Sequence, residues 1–269
     1  MTTVIYKPEA FAACDSRWSI DGREVSSINE NKYIIFQAPS SGESFISMAC
    51  GTHIAIVLHQ AMLLKLIDSN QYFTLTSLYA DFFELEIDFV FLKLETGELK
   101  STPQEYYPKD KEGGLYVMGT GGIHAGRFYY HSSRVLRKKR RKKPPFLFSN
   151  ACGIAGALQN AYSQDVASGG KVNKIEWSDG SCTVSTFLPL PNDYREKYLE
   201  TLVTSMREIH DMYENNNAGN LTQMAGQAQN QNQSQGSSSQ ARARNNNGSN
   251  ATKLTTSRVL EQIKLFESL

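Results

Sequence analysis

The stretch that decides the fold of this chain is Thr3-Val-Ile-Tyr-Lys7, followed by a turn at Pro8-Glu9 and by Ala10-Phe-Ala-Ala-Cys14. Each apolar run has the length of a strand, and the first is rich in β-branched and aromatic residues. Two such runs separated by a short proline-containing turn are typical of a β-hairpin. The sequence therefore predicts that the domain is built on a pair of antiparallel strands.

Further periodic segments extend this pattern along residues 1–214. The predicted strands are 33–36, 45–50, 87–94 (with a turn at 96–98), 115–118, 172–177 and 182–187, and the predicted helices are 51–66, 77–84, 122–136, 149–166 and 193–213. Blocks of hairpins alternate with blocks of helices, so we predict an α+β domain in which helices cover antiparallel sheets. A four-layer αββα sandwich fits this order, although the pattern alone does not separate it from other α+β folds.

Charge is distributed unevenly along the chain. The 28 Lys and Arg residues nearly balance the 27 Asp and Glu residues, but seven of the basic residues form one run, Arg137–Lys143. The rest of the chain is therefore mildly acidic, which argues against a globally basic nucleic-acid-binding protein. The run lies in a predicted insertion at 137–145. Such a run is most often a solvated loop, and it could also contact nucleic acid or an acidic partner.

Several classes of protein are excluded by simple patterns. No secretory signal is visible in the first residues, and the most apolar window, 54–67, is interrupted by His59 and Lys65, so no membrane segment is expected. The cysteines are scattered without a CxxC pair, which favours a reduced, cytoplasmic setting. The five histidines show no metal-ligand spacing, so we expect neither a metal nor an organic cofactor.

The C-terminal part has a different composition. Residues 215–250 are dominated by Asn, Gln, Ser and Gly, and such a segment is predicted to be a disordered linker. Residues 251–269 predict a short amphipathic helix, with Ser257 as its cap and Val259, Ile263 and Phe266 at helical spacing. Two interpretations stay open: a frayed tail, or a tethered helix that docks on a partner or a neighbouring subunit.

The first candidate for chemistry is Thr2. Removal of Met1 before a small residue would expose a threonine that carries both a hydroxyl nucleophile and a free α-amine, whose pKa of about 7.7–8 leaves it partly neutral near pH 7. A threonine after Met1 is common, so this position alone does not indicate a catalytic role.

Five short motifs further along the chain strengthen the interpretation of Thr2 as a catalytic residue. They are Ala12-Ala-Cys-Asp-Ser-Arg17, Ile28-Asn-Glu-Asn-Lys-Tyr-Ile34, Met48-Ala-Cys-Gly-Thr52, Met118-Gly-Thr-Gly-Gly122 and Asp165-Val-Ala-Ser-Gly-Gly170. In this order and at these intervals, over about residues 2–190, the chain resembles the proteasome β-subunit family and its bacterial relative HslV, which are N-terminal-threonine (Ntn) hydrolases.

The resemblance implies a role for each matching residue. Thr2 would be the nucleophile and, through its amine, the base, while Asp15 would hold Lys32 beside it. Gly51 would provide the N–H of an oxyanion hole, with Cys50 as the alternative one residue earlier. Asp165 and Ser168 match the Asp-x-x-Ser-Gly-Gly element that would order the N-terminal residue, and Thr120 supplies a hydroxyl where the family usually has the serine of Gly-Ser-Gly.

The resemblance also implies a function. The chain would be a proteasome-like threonine endopeptidase that degrades unfolded polypeptides in a homo-oligomeric ring fed by an ATPase unfoldase. The short turn at 7–10, the basic run and the Asn/Gln-rich tail depart from the family pattern. Two alternatives stay open: a non-catalytic scaffold with the same fold, and an Ntn hydrolase acting on a small amide.

Overall fold

The computed structural model describes residues 3–20, 23–100, 106–110, 113–139, 150–178, 181–183, 192–229 and 253–269. Eleven strands and six helices lie in these ranges, in the mixed α+β arrangement that the sequence predicts. The strands are β1 Val4–Lys7, β2 Phe11–Asp15, β3 Ser19–Ile20, β4 Arg23–Glu24, β5 Tyr33–Gln37, β6 Ser44–Gly51, β7 Ile87–Lys93, β8 Tyr106–Asp110, β9 Gly113–Met118, β10 Val172–Ser178 and β11 Ser181–Thr183. The helices are α1 His53–Leu63, α2 Ser69–Ala80, α3 Gly122–Lys139, α4 Asn150–Gln164, α5 Asn192–Gln229 and α6 Thr256–Ser268.

Two antiparallel sheets carry the fold. One has six strands in the order β11-β10-β2-β1-β9-β8, and the other has three in the order β5-β6-β7. The predicted hairpin β1–β2 lies at the centre of the larger sheet, with Val4 opposite Cys14. Its turn is closed by Ala10 N–H, which donates to Lys7 O at 3.1 Å, and within it Glu9 adopts a φ of 60°.

Both faces of strand β1 are buried, because each faces a different layer. Val4 and Tyr6 pack with Met48 and Val90 of the three-stranded sheet. Ile5, between them, packs on the opposite face in a cluster that also holds residues of α3 and α4. Alternation of side chains along a strand produces this division. The larger sheet is thus covered by a sheet on one side and by helices on the other.

The second face of the three-stranded sheet carries the largest apolar cluster. Phe36 and Phe91 of the sheet pack there with residues of α1, α2, α5 and α6. The order of layers is therefore the helices α3 and α4, the six-stranded sheet, the three-stranded sheet and a second group of helices.

Helix α2 differs from the sequence prediction, which placed it at 77–84. It begins at Ser69, because Asp68 and Gln71 form a reciprocal capping box: the Asp68 carboxylate accepts from Gln71 N and the Gln71 side chain accepts from Asp68 N. The polar residues of this first turn gave no apolar periodicity, which is why the pattern missed it.

Helix α5 also continues beyond its predicted end, to Gln229, and so enters the segment for which disorder is predicted. Extending an existing helix costs less than nucleating one. The rest of the predicted linker, 230–250, lies outside the described residues.

The C-terminal helix is neither frayed nor free to reach a partner in this structure, because it packs on its own domain. Val259, Ile263 and Phe266 are buried in the cluster over the three-stranded sheet, and the Tyr72 hydroxyl donates to Gln262 Oε1 at 2.6 Å. The predicted cap at Ser257 is wrong, since the helix starts at Thr256. Within the ranges described above, no helix is both long and apolar enough to cross a membrane.

Candidate functional site

A buried ion pair lies at the end of the central hairpin. Lys32 Nζ is 3.1 Å from Asp15 Oδ1, and neither side chain has any exposed surface. Lys32 Nζ also donates to the carbonyl oxygen of Arg17. The other carboxylate oxygen, Asp15 Oδ2, accepts from Gly169 N at 3.0 Å. Since both carboxylate oxygens accept hydrogen bonds, the arrangement suits an ionised Asp15.

Thr3 ties the N-terminal end of β1 to this pair. Its N–H donates to Asp15 Oδ1 at 3.0 Å, and its hydroxyl lies 2.6 Å from the Ser168 hydroxyl. Thr3 itself is fully buried. Thr2 itself, the predicted nucleophile, lies outside the described residues.

The second group of predicted residues meets on the other side of Thr3. Asp165 Oδ2 accepts from Thr120 Oγ1 at 2.5 Å and from Ser168 Oγ at 2.6 Å. The structure thus brings Thr120, Asp165 and Ser168 into one hydrogen-bonded chain that reaches Thr3. Gly121 leaves the space for this contact, because a Cβ atom there would stand 2.0 Å from Thr3 Oγ1 and 2.5 Å from Ser168 Oγ.

Electrostatics differ between the two carboxylates. Burial raises the pKa of Asp15, while the Lys32 ammonium and the N–H groups of Thr3 and Gly169 oppose that rise, so that the pKa stays above its ordinary value. Partial burial would also raise the pKa of Asp165, but the hydrogen bonds from Ser168 and Thr120 outweigh it and hold the pKa below its ordinary value. Asp165 is therefore ionised at neutral pH.

The predicted oxyanion donor lies at the end of β6. Gly51 has a φ of 144°, and a Cβ atom there would stand 2.0 Å from Glu86 O, so only glycine fits this corner. Thr52 N then donates to Glu86 O at 2.8 Å. The neighbouring Cys50 thiol is fully buried, which raises its pKa, so it stays protonated.

Sequence reasoning missed Trp18, which covers the lysine. Lys32 Nζ lies 5.1 Å from the centre of the Trp18 ring, within the range of a cation–π contact. Trp18 Nε1 is held by Glu30 O at 2.8 Å, and the Glu30 side chain in turn binds His53 and Ser205. The tryptophan directly follows the Asp-Ser-Arg motif, but no spacing rule connects an indole at that place to the lysine that precedes β5.

The remaining predicted features lie elsewhere or outside the described residues. The basic run begins in the last turn of α3, which ends at Lys139, and its other residues are not among those described. Among the described residues, no group of three or more His, Cys, Asp or Glu side chains is placed to hold a metal ion.

Comparison with known proteins yields structural likenesses only. No protein-family model and no curated protein sequence matches this chain. It is similar to BPH of Thiobacillus denitrificans in complex with epoxomicin, with 14% identity over 66% of this chain and 100% of that chain and a TM-score of 0.39. It is also similar to Anbu of Hyphomicrobium sp. strain MC1, with 8% identity over 78% of this chain and 97% of that chain and a TM-score of 0.42.

A third similarity is to eukaryotic HslV of Trypanosoma brucei, with 13% identity over 64% of this chain and 96% of that chain and a TM-score of 0.34. At these identities and TM-scores, none of the three likenesses carries a conclusion about activity. The functional argument therefore depends on the residues of the site.

Proposed function

We propose that this chain is an N-terminal-threonine hydrolase that cleaves peptide bonds, with Thr2 as the nucleophile once Met1 is removed. The observation that carries the proposal is the fully buried Asp15–Lys32 pair, whose carboxylate binds the N–H of Thr3, the residue after the nucleophile. The mixed arrangement of helices and antiparallel sheets also supports the proposal.

A buried ion pair is a poor device for stability alone. Removing two charges from water costs several kcal/mol per ion, and apolar replacements of similar volume are often neutral or stabilising. A buried lysine beside the start of the chain has a chemical use, however, since its charge lowers the energy of a negatively charged oxygen nearby and favours a neutral amine.

The proposed reaction is acyl transfer in two steps. The Thr2 hydroxyl attacks the peptide carbonyl while its α-amine takes the proton, and that proton then leaves with the departing amine. The resulting ester is hydrolysed by water activated by the same α-amine. Gly51 N–H stabilises the developing oxyanion, while Ser168, Thr120 and Asp165 hold the N-terminal residue in place.

The assembly is proposed from the sequence resemblance. It comprises a cytoplasmic homo-oligomeric ring, unfolded polypeptides as substrates and an ATPase unfoldase that delivers them. The basic run 137–143 is proposed to contact an acidic partner or nucleic acid, on the grounds of its charge alone.

The test begins with the intact mass of natively purified protein, under denaturing and then native conditions. We expect the loss of one methionine and a high-order assembly. A peptidyl epoxyketone, which reacts with a hydroxyl and a free α-amine on one residue, should add once per chain, and Thr2→Ala should abolish both this adduct and peptide cleavage. Lys32→Met should also abolish peptide cleavage, and Lys264→Met, at an exposed position of α6, is its matched control.

The outcomes separate the three candidates. Retained Met1 with no adduct contradicts the hydrolase and leaves the scaffold. An adduct together with cleavage of small amides but not of peptides identifies the small-amide hydrolase instead. Cleavage of peptides that survives Thr2→Ala would remove Thr2 from the mechanism.

A further inference from the structure

The C-terminal segment 253–269, here called the strap, contacts the backbone that forms the Gly51 corner. Leu254 N donates to Leu85 O at 2.8 Å, and Lys253 forms a β-bridge with Glu86. The backbone of the strap thus pairs with segment 85–88, which comprises the two residues before β7 and the first two residues of that strand.

A side-chain contact strengthens this attachment. Arg258 Nη2 lies 2.6 Å from Asp88 Oδ1, and the Asp88 side chain is only 9% exposed. Asp88 stands opposite Cys50 in the pairing of β6 with β7. Because a carboxylate this well buried is costly without a counter-charge, Arg258 determines where the start of β7 can lie.

The opposite edge of the same segment holds the proposed oxyanion donor. Gly51 pairs with Ile87, Thr52 N donates to Glu86 O at 2.8 Å, and Glu86 N lies 3.3 Å from Thr52 Oγ1. Segment 85–88 is therefore held between the strap on one side and the Gly51–Thr52 corner on the other. A Cβ atom at Gly51 would overlap Glu86 O, so the corner has no room to shift without moving Glu86.

We propose that the strap is a positioning element for the Gly51–Thr52 corner. When it is docked, its contacts with Leu85, Glu86 and Asp88 hold segment 85–88 in the position that aims the backbone N–H of Gly51. When it is released, segment 85–88 loses the support of the strap and the corner loosens. The structural part stands by itself, while its effect on catalysis rests on the proposed function.

The physics of the strap suits a reversible contact. A helix of 13 residues is marginal by itself in water, so α6 is stable chiefly through the face it buries. The residues between α5 and the strap, 230–252, are polar and rich in Asn and Gln.

The experiment measures hydrogen exchange of the Gly51 and Thr52 amides in the full-length protein. Arg258→Met removes the charge but keeps the length of the side chain, and Asp88→Asn removes the charge from the other partner. Lys264→Met is the matched control, because Lys264 is an exposed cation on the same helix. Arg258→Lys tests whether a conservative cation restores the effect.

We expect Arg258→Met and Asp88→Asn each to speed exchange at the corner about tenfold, equivalent to about 1.4 kcal/mol of lost protection. The double variant should add little, because the two substitutions remove the same contact. Arg258→Lys should be intermediate and Lys264→Met unchanged. Wild-type exchange rates in both single variants would overturn the inference.

Peptide hydrolysis supplies the catalytic readout. If the corner supplies the oxyanion donor, Arg258→Met should lower kcat and leave KM unchanged. If the wild type cleaves no peptide, the proposed function fails while the exchange data still decide the structural inference. If the wild type is active and faster exchange leaves kcat unchanged, the strap does not position the catalytic donor.

Discussion

Replacing Lys32 by Met tests the buried pair most directly. The substitution removes the ammonium but keeps a side chain of similar length, and Asp15 is left without its counter-charge in a site where neither partner has exposed surface. Breaking a buried ion pair from one side costs about 3–5 kcal/mol. A domain is typically stable by only about 5–15 kcal/mol, so the expected loss is a large part of the whole.

The loss should also depend on pH in a defined direction. The pKa of Asp15 is already raised in the folded protein, and without Lys32 it should rise further. Because its folded pKa then exceeds the unfolded value of about 3.9, the contribution of Asp15 to stability is fully present below pH 3.9 and declines by about 1.4 kcal/mol per pH unit up to the folded pKa. Lys32→Met should therefore be closer to the wild type at pH 5 than at pH 8.

Urea denaturation at pH 5 and pH 8 measures both effects. Asp15→Asn combined with Lys32→Met removes both charges and should recover part of the loss, which keeps the test usable if the single variant does not fold. Lys264→Met should stay within about 0.5 kcal/mol of the wild type, as expected of an exposed position. A cost of less than about 1 kcal/mol for Lys32→Met, equal at both pH values, would refute the reasoning.

Three further predictions follow from other parts of the structure. Burial lowers the pKa of His59 to about 3, below its unfolded value of about 6.5. Its contribution to the free energy of unfolding is therefore present above pH 6.5 and falls by about 1.4 kcal/mol per pH unit down to about pH 3. In urea denaturation, His59→Phe should make stability depend less steeply on pH below 6.5, and an unchanged dependence would contradict this. Gly51→Ala should lower the free energy of unfolding by at least about 3 kcal/mol in thermal denaturation, since backbone strain and a Cβ overlap combine there. Gly42→Ala, at a glycine with positive φ but open space around it, should lower it by only about 1–2 kcal/mol. Equal losses would mean that the backbone around Gly51 can shift to make room. Gly121→Ala should lower kcat on a peptide substrate about a hundredfold, because the new Cβ atom would displace Thr3. The control is Gly122→Ala, whose Cβ atom would have its nearest neighbour 3.2 Å away and should lower kcat far less. Similar kcat values for the two variants would argue against a role for the hydrogen bond between Thr3 and Ser168.

The elements of the fold were largely predictable because their signals are local. Two apolar runs of strand length and a turn were sufficient for the hairpin β1–β2, and the order of hairpins and helices was sufficient for an α+β domain. Helix α2 was misplaced because its start depends on two polar side chains, Asp68 and Gln71, that bond to each other's backbone. Helix α5 exceeded its prediction because composition does not show how far an anchored helix will propagate.

The site was predictable only as a set of positions. The family resemblance of the motifs named Asp15, Lys32 and the second group around Asp165, and the structure brings each group together through hydrogen bonds. The roles of these residues with Thr2 remain proposals. Trp18 was not predicted, because its contact with Lys32 exists only when the segment between β2 and β3 meets the residue that precedes β5.

The sequence by itself determined the residue types, the strand and helix periods, and the order in which the elements follow. Only the tertiary structure decided which of them meet. The strap shows the difference most clearly: its apolar spacing predicts a helix with one buried face, yet periodicity carries no information about which surface will cover it. That choice depends on the free energy of packing Phe266 against Phe36 and of pairing Arg258 with Asp88, contacts between residues far apart in the chain.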